Sequence, residues 1–60
     1  SPAEKRYMIW LSFLSKFGLT RLPGETPRSF LDRIKRTKYK RLAALTEKKT
    51  QRLEEQQYRG

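Results

Sequence analysis

Apolar residues in the first third of the chain recur at helical spacing. Tyr7, Leu11, Leu14 and Phe17, joined by Trp10, make one stripe. Ile9 and Phe13 widen it, and Met8 falls outside it. The apolar face is therefore broader than one partner helix requires. The pattern predicts a helix over Pro2 to Phe17. Ser1 is placed as N-cap, Pro2 as first helical residue and Glu4 as third, the capping-box spacing with proline in its favoured slot. Gly18 is the expected C-terminal stop. Tyr7, Trp10, Phe13 and Phe17 are read as core aromatics; the alternative is that so broad an apolar face continues from, or lies against, a membrane, with Trp10 partly exposed.

The stretch GLTRLPGETP follows. Leu19 and Leu22 are expected to tuck under the helices. Pro23-Gly24 signals a type II turn, because glycine accepts the positive φ that such a turn demands. Glu25 is placed to accept backbone N–H bonds near a helix start. Thr26 can cap, and Pro27 can occupy the first position of a second helix. That helix puts Phe30, Leu31 and Ile34 on one face and is expected to expose Arg28, Asp32, Arg33, Lys35 and Arg36. It ends near Arg36. A third helix is predicted from about Lys38 to Gln57, with Tyr39, Ala43, Thr46, Thr50, Leu53 and Gln57 at 3-4 spacing. Leu42 and Leu45 broaden its first half. Large apolars are scarce in its second half, so its last two turns are expected to protrude, fray or need a partner. The expected fold class is all-α: residues 1–60 form a single small three-helix domain, or a fragment of a larger protein, with a long and partly protruding last helix.

Length limits the core. A chain of this size buries only about 60% of its unfolded surface. Cysteine and histidine are both absent. No thiolate, no imidazole ligand and no imidazole acid/base group is therefore on offer. The serines lack a base partner, the three glycines are scattered at 18, 24 and 60, and the carboxylates form no glycosidase-like pair. No cofactor, metal or small-molecule substrate is implied, and the chain alone is read as non-enzymatic. The longest mostly apolar run, Tyr7 to Leu14, is too short to span a bilayer, and it lacks the flanks of a signal peptide.

Charge changes the picture most. The net charge is +9, and residues 1–43 hold eleven Lys or Arg against three acids. Such a field favours phosphate-rich partners or an anionic membrane. The densest run is Asp32 to Arg41. Its Arg33, Lys35, Arg36, Lys38, Lys40 and Arg41, with Tyr39 among them, are candidates for contact with an anionic partner. Nucleic acid, where Tyr39 stacks and the cations meet phosphates, and a lipid surface both fit this composition. So does a solvated connector between helices. The structural turn and cap residues are Gly18, Pro23, Gly24, Thr26 and Pro27.

The segment F-G-L-T-R-L-P-G-E-T-P-R-S-F-L-D-R resembles the small C-terminal domain of bacterial transglutaminase-like membrane proteins. The match runs through Gly18, Leu19, Arg21, the run Pro23 to Pro27, Phe30 and Arg33, and loosely Tyr58. The chain is more basic between Ile34 and Tyr39 than that pattern, and it has no aromatic near Lys49 or Thr50. The resemblance implies a non-catalytic accessory domain at the cytoplasmic face of the membrane, facing anionic lipid or a cytoplasmic protein. The family's catalytic Cys, His and Asp would belong to a separate extracytoplasmic domain. Two alternatives stand beside this expectation. One is a basic nucleic-acid-binding or ribosome-associated protein. The other is a protein–protein interaction module whose tail, from about Lys48 to Tyr58, orders on a partner.

Overall fold

The structure, a computed structural model, describes residues 2–59, with side chains placed for residues 2–56. Three helices follow in order: α1 (Pro2–Ser15), α2 (Pro27–Lys35) and α3 (Lys40–Arg59). The expected Ser1 cap and the expected contributions of Gln57 and Tyr58 lie outside the described residues. The three-helix expectation holds. α3 is the longest helix and the least tightly packed. Twenty residues of helix span about 30 Å, so α3 accounts for most of the molecule's 34 Å long axis. α1 and α2 each pack along α3 and make no comparable helix–helix contact with each other.

α1 ends two residues before the predicted Phe17. Its last amides reach back three residues, Lys16 to Phe13 and Phe17 to Leu14, so the final turn tightens. Gly18 then adopts φ 77°. Its N–H donates to the Ser15 carbonyl and the Leu19 N–H to the Leu14 carbonyl. This is a Schellman closure, and Leu14 and Leu19 meet in the core behind it. Leu19 is buried as expected. Leu22 is not: it stands 56% exposed.

Pro23-Gly24 turns the chain as predicted. Gly24 has φ 79°, and the Glu25 N–H donates to the Leu22 carbonyl at 3.0 Å. Thr26 caps α2, its Oγ1 accepting the Ser29 N–H at 3.1 Å, with Pro27 in the first turn. Phe30, Leu31 and Ile34 are buried together. α3 begins at Lys40, two residues later than Lys38, because Thr37 organises the corner. Its hydroxyl donates to the Ile34 carbonyl and accepts the Tyr39 N–H. Tyr39 then offers its carbonyl to the Ala43 N–H.

The core joins Leu14, Leu19, Phe30, Ile34 and Ala43, with Trp10, Leu11, Tyr39 and Leu42 packed against it. Along α3 the buried stripe is Ala43, Thr46, Thr50 and Leu53, the spacing read from the sequence. Its two threonines satisfy their hydroxyls locally. Thr46 donates to the Leu42 carbonyl and Thr50 to the Thr46 carbonyl. Thr46 also accepts the Trp10 indole N–H at 2.8 Å, tying α1 to α3.

Candidate anionic-surface interface

Two of the expected core aromatics of α1 are not core. Phe13 is 39% and Phe17 41% exposed, while Met8 and Ile9 stand 61% and 63% exposed. The reason is topological. A helix apolar on most sides needs neighbours on most sides, and α1 has only α3. Its buried side is Tyr7 and Leu14, with Trp10 and Leu11 half-buried. Its outer side carries Ile9 and Phe13, with the exposed cations Lys5 and Arg6 on the same helix and exposed Lys16 in the turn just after it.

The exposed rings are ordered against one another. Trp10 and Phe13 stack at 5.1 Å between centroids. Phe13 meets Phe17 edge-on at 5.2 Å, and Phe17 meets Tyr39 edge-on at 5.8 Å. The Lys49 ammonium lies 5.4 Å from the Trp10 ring centre and the Lys38 ammonium 5.5 Å from that of Tyr39. The result is a four-ring ladder with a lysine at each end. It crosses from α3 over α1 to the α2–α3 corner.

Three of the acidic groups pair with cations of α2. Arg28 grips Glu54 with two bonds, at 2.6 and 3.2 Å. Arg33 grips Glu25 with two more, at 2.9 and 3.0 Å, and also donates to the Thr20 carbonyl. Lys35 lies 3.5 Å from Glu47. Arg33 and the Leu22 N–H hold the Glu25 carboxyl down at about 2. Arg28 likewise lowers that of Glu54. Arg28 and Arg33, expected to stand exposed on α2, are only partly exposed, because each is bound to a carboxylate.

The candidate run does not make one continuous face. Arg33 turns into the L-P-G-E-T-P corner. Lys35 turns towards Glu47, and the Lys40 ammonium caps the Lys35 carbonyl. Lys38 and Tyr39 join the ladder. Arg36 and Arg41 are exposed. Ile9, Phe13, Phe17 and Lys49 lie outside the run read from the sequence as anionic-contact candidates, although the broad apolar face with Phe13 and Phe17 is itself a sequence-level candidate for lying against a membrane. Their signal was the excess width of the apolar stripe on α1.

Tyr7 is buried, its hydroxyl without a hydrogen-bond partner among the described residues. Burial pushes its pKa up, and the neighbouring Arg21 guanidinium only partly opposes this. Among the described residues, no group of three His, Cys, Asp or Glu can hold a metal ion, and no helix is long and apolar enough to cross a membrane. Compared with family models, curated proteins and solved structures, the chain gives no significant match.

Proposed function

We propose that this domain is a non-catalytic helical module that docks on an anionic membrane surface through the outer side of α1. The observation that carries this is the lysine-ended aromatic ladder beside exposed Ile9 and Met8. Aromatic rings favour the boundary between headgroups and acyl chains. Lys and Arg stems can lie along that boundary while their charged heads reach phosphate. Each cation near an anionic leaflet adds about 1 kcal/mol.

Nucleic acid fits this surface less well. Base stacking needs free ring faces. Here the rings contact one another, and lysines lie over Trp10 and Tyr39. Exposed Ile9 and Met8 offer nothing to phosphate. The position implied by the sequence resemblance, at the inner face of a bacterial membrane beside a transglutaminase-like protein, would present such a module with anionic lipid. It belongs to the same proposal.

Vesicle co-sedimentation tests it. The protein is expected to pellet with vesicles containing anionic lipid and to remain largely in solution with zwitterionic ones. The Ile9→Ser/Phe13→Ser variant keeps every charge and is expected to lose most of that binding. Equal, negligible binding to both vesicle types would overturn the proposal. So would salt-dependent binding to nucleic acid without vesicle binding.

A further inference from the structure

Beside the ladder, a cleft of about 270 Å³ opens between the first turns of α1 and the later part of α3. Arg6, Lys49 and Arg52 line it, with Ala3, Gln56 and one acid, Glu55. Three cations against one carboxylate leave the cleft doubly positive. The salt bridges among the described residues join Arg28, Arg33 and Lys35 to Glu54, Glu25 and Glu47, so none engages these three cations. Like charges converging on a concave surface repel one another and focus a positive potential into it. A bound anion relieves that repulsion.

The donors suit a tetrahedral oxyanion. Two guanidinium groups offer planar forks and the ammonium three further N–H donors. Lys49, Arg52 and Gln56 follow at i, i+3 and i+7, so they share one face of α3. Arg6 faces them from α1 and lies seven residues before Phe13, on the side that the proposed docking turns to the membrane. Lys49 also touches the ladder through Trp10.

We infer that this cleft binds a phosphate group, and that a phosphomonoester with three free oxygens is preferred over a phosphodiester. Where the source is a lipid headgroup, the inference rests on the membrane reading above. The monoester carries more charge and more acceptor oxygens, and charge-assisted bonds from guanidinium are the stronger kind.

The test uses the whole chain and two arms. In the first, backbone amide NMR shifts are followed during titration with inorganic phosphate, against chloride at matched ionic strength. Shifts concentrated at Ala3, Arg6, Lys49 and Arg52 are expected. In the second, binding is measured to vesicles of equal surface charge bearing either phosphatidate, a monoester, or phosphatidylglycerol, a diester. Arg6→Gln/Arg52→Gln is compared with Arg41→Gln/Lys48→Gln, which removes the same charge elsewhere. All four positions are exposed, and circular dichroism checks that each variant folds.

The control variant should weaken binding to both vesicles alike, and the cleft variant should weaken diester binding more than the control does, because Arg6 also lies on the docking side of α1. The cleft variant should weaken monoester binding by about a further tenfold, the loss expected of charge-assisted bonds. Identical behaviour of the two variants on both vesicles, with no phosphate-specific shifts in the cleft, would overturn the inference. Absence of all vesicle binding would overturn the membrane reading instead, and the phosphate titration would still decide the cleft. Cleft shifts without headgroup preference would support the phosphate site with free phosphate as its ligand, and overturn the lipid source.

Discussion

Gly24 shows how a single position sets the route of the chain. Its φ of 79° lies in the left-handed region, and a Cβ built there would meet nothing within 4 Å. The demand is therefore on backbone conformation and not on space. Gly24→Val is expected to cost about 1–2 kcal/mol, lowering the melting temperature by roughly 8–16 °C. Gly24→Asn should cost less, since asparagine tolerates that region. Equal losses in thermal denaturation would show that bulk, not φ, matters there. Glu25, the next residue, makes the corner pH-sensitive. The Arg33 guanidinium, then the Leu22 N–H, hold its carboxyl at about 2 against an ordinary 4.5. The folded state thus favours the ionised form. Its contribution is fully present above pH 4.5 and is lost as pH falls from there towards 2. Denaturant titrations between pH 7 and pH 2 should show the wild type losing its advantage over Glu25→Gln across that window. A constant difference would contradict the pairing.

At the scale of elements, the two buried threonines of α3 have different duties despite equal burial. Thr50 bonds only to a carbonyl of its own helix, which retains its backbone partner. Thr46 also receives the Trp10 indole N–H. Thr46→Val leaves that donor half-buried and unpaired, at about 1–2 kcal/mol. Thr50→Val should cost less than Thr46→Val, because it leaves no partner donor unpaired. Chemical denaturation followed by Trp10 fluorescence reads both, and equal effects would refute the distinction. The helix stripes of α2 and α3 were legible because packed helices cover each of them, α2 lying on α3 and α3 under both α1 and α2, so periodicity and burial coincide. The outer aromatics of α1 were not. Phe13 and Phe17 sit at core-like spacing, but burial needs a second partner helix, and which helices meet is not written in the period.

Across the whole molecule, charge is sorted. Glu25, Glu47 and Glu54 are drawn to the cations of α2, while the outer side of α1 and the turn just after it keep Lys5, Arg6 and Lys16 beside exposed apolar rings. A docking that combines both surfaces should respond to salt in part. Raising ionic strength from 0.1 to 1 M shortens the screening length from about 10 to about 3 Å. Binding to anionic vesicles should then weaken without vanishing, because apolar insertion is not screened. Complete loss in 1 M salt would mean that the rings stay out of the bilayer. The candidate site was legible only in outline. A basic surface was evident, but Arg33 seemed as available as Lys38, because its partner Glu25 lies eight residues away across a turn.

The sequence by itself determined the three helices, the Gly18 stop, the Thr26 cap and the corner between Leu22 and Pro27. Those features rest on interactions within a few residues: the Gly18 and Gly24 backbones, the Thr26 cap and the 3-4 spacing of apolar positions. Tertiary structure decided which apolar residues remain in solvent and which cations remain unpaired. Burial of Phe13, or pairing of Arg28 with Glu54 across twenty-six residues, depends on where whole helices come to rest. That placement follows from the summed packing of α1 and α2 on α3, to which no local segment has access.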